Sequence, residues 1–235
     1  MILAAGRGTR MRPLTDHTPK PLLAVQGKPL MQWPMEALLR GGFPRLVVNT
    51  AWLGEQMPAH FADWPARHPG SSIDWSHEGL DFGYALETAG GIARALPLLG
   101  ELFWVLAGDV FAPGFVFGAE AVARFAASDA LAHLWLVPNP AHNPNGDFGL
   151  SAEGRALNTS AGERFTYSTI GLYRRALFEA PWVDILPGNP QGTAAPLAPL
   201  LRKAMDAGRV SAELYTGPWT DVGTPERLAE LNLTR

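Results

Sequence analysis

Residues 2–10 read Ile2-Leu3-Ala4-Ala5-Gly6-Arg7-Gly8-Thr9-Arg10, a short apolar run followed at once by a glycine-rich loop. The apolar run predicts a buried strand, and the glycines let backbone N–H groups of the loop approach phosphate oxygens closely. Arg10 can add a guanidinium fork that matches a phosphate. The third glycine of a dinucleotide-binding loop and the Gly-Lys-Ser/Thr of a P-loop are both missing, which disfavours those two chemistries.

Apolar strands and amphipathic helices alternate after this loop. The predicted strands are Leu46–Asn49, Ile73–Ser76, Leu102–Ala107 and His133–Val137, and the predicted helices between them are Leu30–Leu39, Leu53–Phe61, Thr88–Leu96 and Ala119–Ala127. Pro34 fits the first of these helices only in its first turn or at a kink. The alternation predicts an α/β fold, a Rossmann-like three-layer sandwich with a mixed, mostly parallel sheet.

The second half of the chain is less regular, and two segments are predicted to be loops. Residues 78–85 form the first, and Trp182–Pro196, which is rich in proline and glycine, is expected to be exposed and mobile. Thr224-Pro225 begins a last helix that runs to about Leu231. We expect one domain, 1–235, with a regular half of about 1–137 and an irregular half of about 138–235.

Composition narrows the possible functions. The 235 residues are 47% apolar and 17% charged, contain no cysteine and have no apolar run near the ~20 residues that span a bilayer. Residues 1–28 carry a local charge of about +4 in a chain of net charge −3. This pattern predicts a local anion site rather than a membrane or nucleic-acid surface, in a cytoplasmic protein.

Longer motifs resemble one known family. Leu3 to Thr15 together with Pro19-Lys20-Pro21-Leu22 resembles the signature of the sugar-1-phosphate nucleotidylyltransferases, and Lys28-Pro29-Leu30 is similar to their second segment. Leu106–Asp109 and Trp219–Pro225 resemble the segments that carry the two magnesium-binding aspartates of the family. The resemblance implies a glycosyltransferase-A-like fold with a nucleotide-binding half of about 1–137 and a small, irregular sugar-phosphate-binding half of about 138–235.

Within the family, three segments indicate a particular branch. Asn49–Gly54, Leu86–Ile92 and Asp221–Glu230 resemble members that transfer a uridylyl group from UTP to N-acetylmuramate α-1-phosphate in bacterial cell-wall recycling. Two alternatives stay open: the same chemistry with GTP and mannose-1-phosphate, and a non-catalytic sensor of nucleotides or sugar phosphates. Glu78 keeps the first alternative open, because a carboxylate can accept two N–H bonds from guanine.

The resemblance also implies residue roles on the nucleotide side. Arg10 would hold the β- and γ-phosphates, and Lys20 would lie near the α-phosphate. Asp109 and Asp221 would bind Mg²⁺, although a turn or helix N-cap is the alternative role for each aspartate. The implied nucleotide-binding residues are Ala4, Ala5, Gly6, Gly8, Thr9, Glu78, Glu87, Thr88, Gly90 and Asp109.

The sugar-phosphate side departs from the family. Many members carry Glu-Lys-Pro there, and this chain has no lysine between Lys28 and Lys203. Arg164, or the backbone near Gly149 and Gly171, is expected to replace it, and the expected sugar contacts are Asp147, Asn158 and Tyr173. The expected partners are UTP and a sugar-1-phosphate, bound by a monomer or homodimer.

Overall fold

The structure is a computed structural model, and it describes residues 1–159 and 162–233. The strands are β1 Ile2–Leu3, β2 Ala24–Val25, β3 Lys28–Pro29, β4 Arg45–Thr50, β5 Ser72–His77, β6 Leu102–Ala107, β7 Val110–Phe111, β8 Ala132–Val137, β9 Phe148–Leu150, β10 Ala156–Leu157, β11 Arg164–Arg174, β12 Val210–Leu214 and β13 Thr220–Asp221. The α-helices are α1 Gln32–Arg40, α2 Gln56–His60, α3 Trp64–Arg67, α4 Glu78–Phe82, α5 Glu87–Ala95, α6 Ala119–Ala126, α7 Leu197–Asp206 and α8 Pro225–Leu233.

The chain divides into two compact units. Unit 1 contains residues 1–85, 107–118 and 218–235, and unit 2 contains residues 86–106 and 119–217. Both units are built from discontinuous segments of the chain. The assignment of nucleotide and sugar phosphate to the two halves stays a prediction.

Unit 1 is organised around the parallel strands β1, β4 and β5. Ile2 pairs with Val48 and Leu3 with Asn49, so the glycine-rich loop leaves the sheet beside the end of β4. The β4 side chains from Leu46 to Thr50 are buried, as the apolar run predicted. Pro34 lies in the first turn of α1, where its missing N–H costs no helical hydrogen bond.

A short antiparallel pair brings two distant segments of unit 1 together. Strand β13 pairs with β7, placing Thr220 opposite Phe111 and Asp221 opposite Val110. An apolar cluster supports the pair and includes Leu228 and Leu231 of α8 at its margin; its buried members are Met11, Val25, Leu30, Phe111 and Val222. The packing therefore holds α8 directly after the segment that carries Asp221.

Unit 2 contains a mixed sheet whose central strand is the long β11. Strand β11 runs antiparallel to β6, β8 and β9, and β12 runs parallel to β8. A bulge lies between Tyr167 and Gly171. With the parallel strands of unit 1, this arrangement confirms the predicted α/β class and mixed sheet. None of the described helices is long and apolar enough to cross a membrane.

Two loop predictions need correction. Residues 78–82 form the short helix α4, which Gly83 ends in the left-handed conformation (φ +80°) while its N–H donates to the Gly79 carbonyl at 3.0 Å. The loop Trp182–Pro196 is anchored rather than wholly exposed. The buried Asn189 donates to the carbonyls of Gly90 (3.1 Å) and Thr193 (2.8 Å) and accepts from the Thr193 N–H (2.9 Å).

Candidate active site

The glycine-rich loop after β1 is shaped by a buried threonine. Thr15 is fully buried, and its hydroxyl donates to the Gly8 carbonyl at 2.8 Å. Gly8 has a φ of +65°, and an added Cβ would lie 3.1 Å from Thr15 Cγ2 and 3.3 Å from Lys20 Cβ. Glycine is therefore required both by the left-handed backbone and by the close approach of Lys20.

The two arginines of the loop have different surroundings. Arg7 stacks 3.3 Å above the centre of the Trp52 ring, donates to the Thr15 carbonyl and lies 3.6 Å from Asp16. Through these contacts, Arg7 stabilises the conformation of the loop. Arg10 is exposed, as are Gly6 and Thr9. Arg10 is therefore the loop guanidinium that an incoming anion can reach.

Lys20 and Asp109 meet although 89 positions separate them in the sequence. Lys20 is 9% exposed, and its ammonium group donates to Asp109 Oδ2. Asp109 follows the end of β6, where the Gly108 N–H donates to the Leu3 carbonyl at 2.8 Å. The lysine and the aspartate expected from sequence thus form an ion pair beside the glycine-rich loop.

Asp221 is the neighbour of Asp109 across the β7–β13 pair. The Val222 N–H donates to the Asp109 carbonyl at 2.9 Å, and Asp221 faces Val110. Arg227 was missed in the sequence, and its Nη1 donates to Asp221 Oδ2 at 2.8 Å and to the Asp221 carbonyl at 3.0 Å. Its position one turn into a helix that begins just after Asp221 is the signal that could have identified it.

Arg10 joins this group at Gly223. A Cβ added to Gly223 would lie 3.0 Å from Arg227 Nη1, 3.3 Å from Arg10 Nη1 and 3.3 Å from Asp221 Oδ2. Two guanidinium groups and one carboxylate therefore surround a point that only a residue without a side chain leaves open. Unit 1 thus brings together the sequence-predicted Arg10, Lys20, Asp109 and Asp221.

The two carboxylates fit a magnesium ion. Mg²⁺ prefers oxygen ligands and is usually held by one or two carboxylates together with substrate phosphates. Asp109, directly before β7, and Asp221, at the end of β13, supply two carboxylates from neighbouring segments, and Arg10 lies close to Asp221. The described residues form no cluster of three or more metal-binding side chains. The two carboxylates therefore do not form a complete metal site made of protein ligands alone.

Glu78 occupies a position that changes its predicted role. Its side chain is fully buried and accepts a hydrogen bond of 2.7 Å from Asn49 Nδ2. Asn49 Oδ1 in turn accepts the Ala4 N–H at 2.8 Å. The carboxylate therefore faces Asn49 and supports the backbone at Ala4 rather than standing exposed to read a base. Asn49 was missed in the sequence, although it is a polar residue at the end of an apolar strand.

Three of the predicted nucleotide-binding residues, Glu87, Thr88 and Gly90, lie in unit 2 at the start of α5. Glu87 is exposed and has a φ of +58°, and Thr88 is half-buried. The predicted role of Gly90 needs correction. Its N–H donates to the Ala195 carbonyl, and an added Cβ would lie 2.4 Å from the Thr193 oxygen. Gly90 therefore packs against residues 193–195 and does not offer its N–H to a base, whereas the roles of Glu87 and Thr88 stay predictions.

The predicted sugar-side residues are held by bonds within unit 2. Asp147 Oδ2 accepts the Tyr167 N–H at 2.8 Å, and Arg164 donates to the Asp147 carbonyl. Asn158 donates to Asp206 at 3.0 Å and accepts from Arg202 at 2.7 Å. These bonds orient the polar side chains, and their contact with a sugar phosphate stays a prediction.

The remaining sugar-side residues lie inside the unit 2 sheet. Gly149 pairs with Leu157 and Arg164, while Gly171 is a buried residue of β11 whose added Cβ would lie 2.8 Å from the Tyr173 ring. Tyr173 is fully buried and bonded through its hydroxyl to Tyr167, and burial raises the pKa of both phenols. The expectation that Tyr173 contacts a sugar is wrong, because it is a core residue.

Comparison with known proteins gives strong matches over the whole chain. The family described as nucleotidyl transferase matches residues 1–235. The N-acetylmuramate α-1-phosphate uridylyltransferase of Neisseria meningitidis serogroup B is 47% identical over 98% of this chain and 95% of its own length. The corresponding uridylyltransferase of Caulobacter vibrioides is 32% identical over 96% of this chain and 92% of its own length.

A solved structure shares the fold. The crystal structure of a candidate glucose-1-phosphate thymidylyltransferase from Bacillus anthracis, in complex with sucrose, matches with a TM-score of 0.79. The match covers 99% of this chain and 92% of the other at 19% sequence identity, so it supports the fold alone.

Proposed function

The chain belongs to the nucleotidyl transferase family, and from this premise we propose that it transfers a uridylyl group from UTP to N-acetylmuramate α-1-phosphate. The products are a UDP-sugar and pyrophosphate, formed in the cytoplasm as part of bacterial cell-wall recycling. The observation that carries the proposal is the meeting of Arg10, Lys20, Asp109 and Asp221 beside an exposed glycine-rich loop. The full-length similarity to two uridylyltransferases supports the choice of base and sugar.

The proposed reaction is an in-line displacement at the α-phosphorus of UTP. An oxygen of the sugar-1-phosphate forms a bond to that phosphorus, and the bond from it to the oxygen bridging the α- and β-phosphates breaks. The electron pair leaves with pyrophosphate. A phosphate monoester is largely a dianion at neutral pH, since its second pKa is about 6, so the nucleophile needs no general base. Catalysis then depends on positioning and on charge neutralisation.

The chain's cations supply that neutralisation in the proposed mechanism. Arg10 holds the β- and γ-phosphates, which become the leaving pyrophosphate, with a planar fork suited to phosphate oxygens. Lys20 provides a compact charge near the α-phosphate, where negative charge develops as the new bond forms. Asp109 and Asp221 would hold Mg²⁺, which would supply positive charge to neutralise the phosphates.

The alternative with GTP and mannose-1-phosphate finds no support in the position of Glu78. That alternative rested on a carboxylate free to accept two N–H bonds from guanine, whereas Glu78 is buried and bonded to Asn49. A non-catalytic sensor has no need of a second carboxylate beside the first, so Asp221 next to Asp109 favours an enzyme.

The test is pyrophosphate release with Mg²⁺. UTP, GTP, CTP, dTTP and ATP are each combined with N-acetylmuramate-1-phosphate, N-acetylglucosamine-1-phosphate, glucose-1-phosphate and mannose-1-phosphate. We expect turnover to be fastest with UTP and the muramate ester. Preference for GTP and mannose-1-phosphate would contradict the base and sugar assignments, and nucleotide binding without turnover in any pair would support a sensor.

Variants test the metal assignment in the same assay. Asp109→Asn and Asp221→Asn should each lower kcat by about 10²- to 10³-fold or more, because each removes a preorganised charge. Asp63→Asn is the matched control, since Asp63 is a unit 1 aspartate paired with Arg67 on the exposed helix α3. Near-normal rates in both active-site variants would exclude the metal role.

A further inference from the structure

We infer that Arg227 is a positioning residue for the proposed reaction: it holds the Asp221 carboxylate in the orientation in which that group would bind Mg²⁺. The inference rests on the proposed function, and it concerns a residue to which neither the sequence motifs nor the comparisons assign a role. Its basis is that Arg227 donates hydrogen bonds to two oxygens of Asp221, close to Arg10.

The contact between the two residues is specific in geometry. A single nitrogen, Arg227 Nη1, donates to the Asp221 side chain at 2.8 Å and to the Asp221 carbonyl at 3.0 Å. The arginine thereby ties the side chain of Asp221 to its own backbone and restricts rotation of the carboxylate. The side chains of Arg227 and Asp221 are 19% and 22% exposed, so water screens this pair less than a surface pair.

The local fold explains why Arg227 can reach back to Asp221. The Gly223 N–H donates to the Asp221 carbonyl at 2.9 Å, so the chain turns tightly directly after the aspartate. Thr224 caps the following helix by accepting the Arg227 N–H at 3.4 Å, and Pro225 is the first residue of α8. Packing of α8 against the apolar cluster then fixes the helix in place.

Arg10 connects the contact between Arg227 and Asp221 to the proposed phosphate site. Arg10 Nη1, Arg227 Nη1 and Asp221 Oδ2 all approach the same point above Gly223. Two guanidinium groups this close repel one another, and the Asp221 carboxylate beside them offsets the repulsion. Arg227 therefore orders Asp221, and Asp221 in turn keeps Arg10 close to the site at which the phosphates are proposed to bind.

The expected magnitude follows from known metal sites. Residues that orient a metal ligand typically contribute about 10- to 100-fold to metal affinity or activity. Arg227→Gln removes the charge and keeps a polar side chain, whereas Arg227→Lys keeps the charge but replaces the planar group with a compact ammonium. The lysine variant should therefore recover part of any loss seen in the glutamine variant.

The experiment measures Mn²⁺ binding to the full chain by electron paramagnetic resonance, with UTP present and the sugar phosphate absent. For Arg227→Gln we expect about tenfold weaker Mn²⁺ binding and about tenfold lower kcat. The KM for the sugar-1-phosphate should change by less than about twofold, because in the proposed mechanism Arg227 acts through Asp221 on the nucleotide side. Arg67→Gln is the control, since Arg67 grips Asp63 through two nitrogens on an exposed helix of the same unit.

The outcomes separate this inference from the proposed function. Wild-type Mn²⁺ affinity in Arg227→Gln, with only a lower melting temperature, would assign Arg227 a purely structural role and overturn the inference. Failure of the wild-type protein to bind Mn²⁺ with UTP would overturn the metal assignment itself, and the inference with it. Weaker binding in Arg227→Gln, partial recovery in Arg227→Lys and no change in Arg67→Gln would support it.

Discussion

Replacing Lys20 with methionine should strengthen divalent-metal binding to the nucleotide-free protein while slowing catalysis. The ammonium group of Lys20 donates to Asp109, so a metal that binds this carboxylate first has to displace the lysine. Arg227 differs from Lys20, because its Nη1 also donates to the Asp221 backbone carbonyl and can stay in place when a metal binds the Asp221 carboxylate. Methionine has a similar length and no charge, and Lys20→Met therefore removes the competing cation with little change in packing. In the proposed mechanism the same change removes the charge beside the α-phosphate.

The size of the effect follows from the exposure of the pair. Two unit charges about 4 Å apart attract by about 1 kcal/mol in water and about 4 kcal/mol at an effective dielectric constant of about 20. The Lys20 side chain is 11% exposed and that of Asp109 is 31% exposed, which places the pair between these limits. An intermediate value of about 1.5–3 kcal/mol corresponds to Mn²⁺ binding that is about 10- to 100-fold tighter.

The assay is Mn²⁺ titration of the nucleotide-free protein by electron paramagnetic resonance, together with pyrophosphate release under saturating substrates. The kcat of Lys20→Met should fall about 10²- to 10³-fold, the range for loss of one preorganised charged donor. Lys28→Met is the matched control, because Lys28 pairs with Glu36 at 2.6 Å and lies over the Trp33 ring. Unchanged or weaker Mn²⁺ binding in Lys20→Met would refute the displacement argument.

Three further substitutions test contacts that hold the two units in shape. Gly90→Ala should lower the free energy of unfolding in urea by about 1–3 kcal/mol, because the added Cβ would lie 2.4 Å from the Thr193 oxygen; unchanged stability would contradict the packing role. Asn49→Ala should cost about 2–3 kcal/mol in the same measurement, because it leaves the buried Glu78 without the amide donor at 2.7 Å, and Asn49→Asp should not restore it. The pKa of the Glu213 carboxyl is lowered, chiefly by its interaction with the neighbouring His133 imidazole. A carboxyl whose pKa is lower in the folded state stabilises the fold above its unfolded pKa, and this stabilisation is lost as pH falls through the folded value. Glu213→Gln should therefore lose less stability than wild type when thermal unfolding is followed from pH 7 to below 4.5; equal losses would show that Glu213 does not contribute.

Much of the local structure was predictable, because it depends on short-range patterns. The apolar strand Leu102–Ala107 forms β6 with the predicted bounds, and Pro34, which was expected in a first turn or at a kink, lies in the first turn of α1. The predicted start of the last helix at Thr224-Pro225 is confirmed by α8 and by the hydrogen bond from the Arg227 N–H to Thr224. Periodicity and capping act within a few residues, so they can be recognised without knowledge of the tertiary fold.

Predictions of a residue's role were wrong where contacts with residues distant in the sequence decide that role. Tyr173 has a side chain of the type expected to contact a sugar, but its position in β11 buries it beside Tyr167. Gly90 resembles a loop glycine that offers its N–H, yet residues 193–195 approach it and use that group. Glu78 follows a strand, as a ligand-binding side chain would, but α4 turns its carboxylate toward Asn49.

The sequence by itself determined the α/β class and the family, because the strand-loop motif after β1 and the two aspartate segments are contiguous stretches that hold their meaning in isolation. Only the tertiary structure decided which charges neutralise one another. Lys20 pairs with Asp109 across 89 positions, and Arg10 approaches Gly223 beside the pair that Arg227 forms with Asp221. The physical reason is that ion pairs and hydrogen bonds act over a few ångströms in space, and only the pairing of β7 with β13 and the packing of α8 make these residues neighbours.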